Sequence, residues 1–389
     1  MSSSSSSKSK SAVLWTQIWS LAGLQGAIAL TWLIYNVYLS QLLAALGFSR
    51  EVALDLVLLE NSVAIFLEPL MGLLSDNAKR SKGSRFDFIW GGVTVSSILF
   101  ISIPLVFNAA DPGTISEFLP ILLVSWTFST MAFRAPAIAT LREYTPSEEL
   151  PTAASAITLV WGVITSFRPV GNEIIFDLSP IGVFAIGSIA LLAAATRMRT
   201  VNLPKAPIDN SDANPKGIIR ELGLIFGAGA GIGLGSRLLI NTISNVLVTQ
   251  LGVNNNWELI GIGIVVSLTA VPAGIIASRI GITKATLYGI GATMILMVLI
   301  VFTNAQIAVI MLLIASFSLV LNGGIPFALS TVPPKWSGLG VGTFFAGISL
   351  SLTLLYFLFP DLQSSDVVGE SVGGAIAFLL AGLCIASSK

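Results

Sequence analysis

Residues 51–108 read EVALDLVLLENSVAIFLEPLMGLLSDNAKRSKGSRFDFIWGGVTVSSILFISIPLVFN, two apolar stretches either side of a loop that carries Asp76, Lys79, Arg80, Lys82 and Arg85. Each stretch is longer than the about 20 residues that take a helix across a bilayer at about 1.5 Å per residue. Outward from this unit the pattern repeats. Apolar segments bounded by charges, Gly, Pro or Asn fall at 13–46, 51–75, 86–108, 117–142, 151–178, 181–197, 217–250, 257–278, 283–303, 306–331, 338–359 and 371–387. They predict twelve transmembrane helices, an all-α integral membrane protein. Of 389 residues, 54% are hydrophobic and 10% charged, with a mean hydropathy of +0.87; an average soluble domain carries about 25% charged residues. Twelve spans with short loops fill the length, so no large soluble domain is expected. Residues 1–11, a serine run with Lys8 and Lys10, read as a disordered tail. The apolar run that begins at Ala12 is too long for a signal sequence and is taken as the first span.

The same composition closes off several function classes. The chain has no histidine and a single cysteine, Cys384, which removes imidazole metal sites, Ser/His and Cys/His nucleophiles and an internal disulfide. Gly227, Gly229, Gly231, Gly233 and Gly235 follow no phosphate-loop spacing and read as close helix packing. The formal net charge is zero, which points to no nucleic-acid partner. An enzyme is not expected, nor a metal or cofactor; the partners expected are the lipid bilayer and a small-molecule substrate, with the chain acting as a monomer.

Basic residues orient the chain, because cytoplasmic loops retain Lys and Arg. With both termini inside, Lys8, Lys10, Lys79, Arg80, Lys82, Arg85, Arg142, Arg197, Arg199, Lys205, Lys216, Arg220, Arg279, Lys284, Lys335 and Lys389 are cytoplasmic, and only Arg50 lies outside. Asp111, Glu117, Glu258, Asp361, Asp366 and Glu370 gather on the outer side. A plasma-membrane protein with cytoplasmic termini is expected. The connection 198–216, rich in Pro, Asp, Asn and basic residues, divides the spans six and six, giving bundles at 12–197 and 217–389. A weak repeat agrees: Gly72-Leu73-Leu74-Ser75-Asp76 closes the second span as Gly274-Ile275-Ile276-Ala277-Ser278 closes the eighth, and Pro136 and Pro326 are expected to end the fourth and tenth. Two related halves are how many transporters hold a substrate at the midplane and rock about it.

The loop from Gly72 through Ser75, Asp76, Arg80 and Gly83 to Arg85 resembles the signature loop of the major facilitator superfamily. That resemblance implies two pseudo-symmetric six-helix bundles, with Asp76 and the basic cluster tying helices together at the cytoplasmic face in one state of a transport cycle. Glu68-Pro69-Leu70-Met71-Gly72 resembles the Asp-Pro-x-x-Gly segment of the glycoside/cation symporters, the group of melibiose permease and sucrose-transporter relatives, and Arg134-Ala135-Pro136 resembles that group's Asp-x-Pro. The group's acidic pair helps bind sodium or a proton. Here Arg134 replaces one of the two, and a guanidinium, with donors only and a permanent charge, does not coordinate sodium.

Ionisable side chains at bilayer depth are functional candidates by default. Counted along their helices, Glu68 and Arg134 lie at matching depth, and Glu60 is expected to face Arg168 on the fifth span. Arg237, with Asn241 one turn on, is the buried charge of the second half, and Tyr35 and Asn36 are candidates for hydrogen bonds to a solute. The expected function is secondary transport of a small polar solute, a sugar or glycoside from the resemblance or an organic anion from the three arginines, with a proton as the candidate coupling ion. A membrane assembly or pigment-handling protein on the same fold is the alternative.

Overall fold

The computed structural model describes residues 12–109, 112–171, 179–201, 215–253, 255–303, 306–358 and 367–388. Among them, 12 helices are long and apolar enough to cross a membrane. The first half holds α1 (Trp15–Ala45), α2 (Arg50–Lys82), α3 (Phe86–Ala109), α4 (Pro112–Ala139), α5 (Leu150–Thr165) and α6 (Pro180–Thr200). In the second half are α7 (Ile219–Thr249), α8 (Asn256–Leu268 and Ala270–Ile280, joined at Thr269), α9 (Ile282–Phe302), α10 (Ile307–Thr331), α11 (Ser337–Leu358) and α12 (Val367–Ala386). Apolar residues run round every face of these helices, so some must stay outside; Phe66, Ile98, Ile121 and Ile189 do, as in a helix that meets lipid. The chain is an integral, multi-pass membrane protein.

Several boundaries depart from the sequence expectation. Pro136 and Pro326 sit inside α4 and α10 rather than ending them, because a proline near the last turn costs only one ladder bond and neighbouring helices hold the rest in place. In the fifth span the regular α-helix ends at Thr165 and a tight turn, Arg168–Val170, continues the span; its expected end at 178 lies outside the described residues. Glu370 is not in the outer loop but inside α12, 2% exposed, where its carboxylate accepts from Asn245 Nδ2 at 3.3 Å. The tail 1–11, most of the linker 198–216, and Asp111, Asp361 and Asp366 lie outside the described residues.

Each half has its own core. In the first, Leu21, Phe133, Ile138, Tyr144 and Ile157 pack at the end that carries the basic loops, and Tyr35, Phe100, Trp126 and Phe184 at the far end. In the second, Ile232, Phe317, Phe344 and Phe378 are central. The glycine run on α7 holds this core together by alternation. Gly229 and Gly233 abut Phe344, Ile348 and Ser351 of α11, while Gly231 and Gly235 abut Ala377, Ala381 and Phe378 of α12. Glycine at every second position of a helix makes two rows four residues apart, one for each neighbour.

The halves meet along two seams, α2 against α11 and α5 against α8. A Cβ on Gly72 would enter the backbone of Gly338, and one on Gly274 would meet Pro151 and Ser155. The two repeat segments of the sequence thus occupy equivalent places, one in each seam.

Candidate functional site

The basic end of the α2–α11 seam is closed by the signature loop. Ser75 Oγ donates to Gly72 O at 2.8 Å, which lets α2 keep its small face against Gly338. Asp76, 1% exposed, accepts from the backbone N–H of Gly338 at 2.9 Å and of Leu339 at 2.8 Å, the first turn of α11. A carboxylate at a helix N-terminus satisfies donors that lack an intrahelical partner and meets the positive end of the dipole. Arg85, 2% exposed, holds Asp76 at 3.1 Å and Glu143 at 3.4 Å, and Lys79 reaches Glu143 at 2.9 Å. Gly83, at φ 73°, ends α2 in the left-handed region and turns the chain so that Arg85 points back at Asp76. Arg80 lies 5.1 Å from the centre of the Trp336 ring, across the seam. On the other seam Thr152 Oγ1 and Ser278 Oγ are hydrogen-bonded at 2.7 Å.

Above this closure α2 and α4 run in the same direction and share two carboxylate sites. Glu68, fully buried, is ion-paired and hydrogen-bonded to Arg134. The Arg134 guanidinium also lies 4.3 Å from the centre of the Phe345 ring on α11, and the Glu68 backbone is where a Cβ on Gly342 would fall. Two turns higher, Glu60 accepts from Tyr35 Oη at 2.5 Å and from Thr127 Oγ1 at 3.0 Å. Eight residues separate the two glutamates and seven separate Thr127 from Arg134, rises of about 12 and about 10 Å, so both sites close in one register. The expectation that Glu60 faces Arg168 is therefore overturned: α2 packs on α4 rather than α5, and a threonine and a tyrosine, not a cation, hold the carboxylate.

Aromatic rings wall the upper site. Tyr35 and Trp126 have centroids 4.6 Å apart, Trp32 and Trp126 5.3 Å, and Phe100 and Trp126 4.9 Å. The indole N–H groups of Trp32 and Trp126 and the amide nitrogen of Gln25 are buried with no hydrogen-bond partner among the described residues. Asn36 lies exposed on the Trp32 face of α1, with its amide donating to Trp32 O at 2.7 Å.

The remaining two arginines are placed differently. Arg168 stands on the turn after α5 and is exposed, whereas Arg237 and Asn241 on α7 are half-buried. Among the described residues, Arg237 and Tyr356, both from the other half, act on the charge of Arg168.

Across the whole chain the arrangement of helices matches solved structures. A proton:xylose symporter of the major facilitator superfamily, bound to 6-bromo-6-deoxy-D-glucose, matches over 96% of this chain and 93% of its own, with a TM-score of 0.65 at 13% identity. The fold is that of the major facilitator superfamily. The human organic anion transporter TETRAN shares the major facilitator fold with this chain at a TM-score of 0.60, 13% identity and 96% and 98% coverage. A bacterial homologue of the iron transporter ferroportin, in an outward-facing state, does so at 0.67, 14% and 96% and 99%. No family model and no curated protein sequence matches the chain.

Thr127, Glu143, Phe345, Tyr356 and the N–H groups of Gly338 and Leu339 are site groups that the sequence did not single out. Thr127 lies seven residues before Arg134, a spacing that repeats on one helix face; for the backbone donors no sequence signal exists.

Proposed function

We propose that the chain is a secondary transporter that moves a small polar organic solute by alternating access between its halves. The observation that carries the reading is the closure at the basic end. Asp76 binds backbone N–H groups of the opposite half across a glycine seam, a contact made of hydrogen bonds. The excess of Lys and Arg at that end supports a cytoplasmic position for it and for both termini, and with that orientation the arrangement is the outward-accessible one. The neighbours support this, one being an outward-facing transporter and another a proton-coupled symporter.

Glu60 and Glu68 are the groups we assign to proton or counter-charge handling, since both are buried at midplane depth and one is tied to a cation that also touches α11. The sugar reading rests on the Glu68-Pro69 segment and on the indole N–H groups of Trp32 and Trp126, which have no hydrogen-bond partner among the described residues. The organic-anion reading rests on the arginines. Reconstitution tests the function: proteoliposomes are loaded with a panel of sugars, glycosides and carboxylates, and counterflow is measured with and without a pH gradient. Glu68→Gln abolishes flux or uncouples it from pH. Absence of flux for every class, with pigment or a partner subunit copurifying, would overturn transport in favour of an assembly role.

A further inference from the structure

We propose that Arg168 and Arg237 form an oxyanion site across the cleft, and that the far ends of the halves draw together only with a carboxylate or phosphate held between the two guanidinium groups. The inference rests on the transport reading and names its substrate class. Of the three arginines within spans, Arg134 is neutralised by Glu68 and stacked on Phe345. Arg168 and Arg237 form no ion pair among the described residues. The buried carboxylates nearest the midplane are already engaged, Glu60 by Tyr35 and Thr127 and Glu68 by Arg134. Arg237 Nε is buried with no acceptor among the described residues, as is the hydroxyl of its neighbour Ser236.

Packing directs both side chains to the same place. Gly233 abuts Ile348 and Ser351 of α11; one turn farther, Arg237 lies on that same face of α7, at the level of Tyr356. Across the cleft, Ser166 abuts Gly263 of α8, which fixes the end of α5, and the Arg168–Val170 turn follows directly. Arg168 is exposed, and the charges that act on it come from Arg237 and Tyr356 of the other half, which sets it on the cleft side of its turn.

A guanidinium keeps its charge at any working pH and offers a planar fork that matches carboxylate and phosphate oxygens. Two such cations brought together at membrane depth repel and lose hydration. An anion between them reverses the sign of both effects. The empty carrier is therefore held back from closing its far end, while the loaded carrier closes. Net flux is then slow and exchange of anions fast.

The test uses the full chain in non-ionic detergent, with succinate and inorganic phosphate as probes and glucose as the neutral control. Binding is read by calorimetry. Closure is read from spin labels at Ser49 and Gln250 at the far end and, separately, Ser81 and Lys335 at the basic end, all exposed, in a Cys384→Ser background. Succinate or phosphate is expected to shorten the Ser49–Gln250 distance. Arg168→Gln and Arg237→Gln each weaken binding about 10- to 100-fold, the loss of a charge-assisted contact, and abolish the shortening, while Arg168→Lys restores part of both. Unchanged affinity in both glutamine variants, shortening by glucose alone, or a response only to anionic-lipid nanodiscs overturns the site. If the anions bind through the arginines but the Ser81–Lys335 distance never lengthens, the oxyanion site stands and alternating access fails. Distances that alternate with glucose, indifferent to both arginines, give the reverse.

Discussion

Asp76→Asn should open the basic end. In the wild type both carboxylate oxygens are used, on the N–H groups of Gly338 and Leu339, and the charge also compensates buried Arg85 at 3.1 Å. An amide keeps one oxygen for one N–H and turns an NH2 group toward the other. Losing one charge-assisted hydrogen bond removes about 1.5–3 kcal/mol, and withdrawing charge from the helix terminus about 0.3–1 kcal/mol, together a shift of about 20- to 700-fold toward the open form. The effect on the fold itself is smaller than at a buried pair broken outright, because Arg85 keeps Glu143 at 3.4 Å. Spin labels at Ser81 and Lys335 report it: their distance distribution gains a long component in Asp76→Asn and a larger one in Asp76→Lys, which adds repulsion against Arg85. Monodisperse variants of both kinds whose distributions match the wild type refute the assignment of Asp76 as the closing contact.

Breaking the buried Glu68–Arg134 pair from either side, as Glu68→Gln or Arg134→Gln, should cost about 3–5 kcal/mol because one charge is left uncompensated; thermal unfolding in detergent should show the double variant recovering more than half of the loss. Tyr35→Phe keeps the ring against Trp126 but removes the donor to Glu60, a loss of about 1.5–3 kcal/mol that should appear as altered uptake with the fold intact, and unaltered uptake would remove Tyr35 from the site. Gly231→Leu drives a side chain into Ala377 and Ala381 and should destabilise by about 1–3 kcal/mol or more, whereas Gly291→Leu, where a Cβ meets nothing within 4 Å, should leave the melting temperature unchanged.

Depth was legible in the sequence and direction was not. A helix rises by a fixed step, so counting residues from the basic loops set Glu68 level with Arg134, and the two are in contact. The same count set Glu60 level with Arg168, where it failed, since depth says nothing of which helix lies opposite. That choice belongs to packing: α2 lies against α4, and at the height of Glu60 the facing residue on α4 is Thr127. A threonine in a span carries no mark that separates a hydrogen-bond donor from a filler, because most return their hydroxyl to the preceding turn, and Thr127 does this as well, to Leu123 O at 3.1 Å. The α7 glycines were readable as packing because no side chain competes for their meaning. The partners of Asp76 were unreadable for the opposite reason: they are main-chain donors, present at every residue but proline, and only the start of α11 in the facing half makes those two available.

One helix, α11, touches the site from the basic end to the far end, and this gives the transport reading its mechanical form. α11 places Gly338 and Leu339 on Asp76 at the basic end, Gly342 on the Glu68 backbone, Phe345 on Arg134, and Tyr356 within reach of Arg168 at the far end. From Ser337 to Leu358 it is regular helix, so it tilts as a rod. A rod held by hydrogen bonds at one end and facing, at the other, a cation with no ion pair among the described residues has two competing attachments. Closing the far end on an anion tips α11 toward Arg168 and, by the same rotation, draws its first turn from Asp76. The contacts between them favour such rocking. A glycine against a backbone and a phenyl ring against a guanidinium face both tolerate a change of angle, and neither fixes a rotamer as an interlocked leucine would. The Glu68–Arg134 pair then sits at the fulcrum, where displacement is least. That is where a buried ion pair survives the cycle without being pulled apart, and where a change in its protonation bears on both ends.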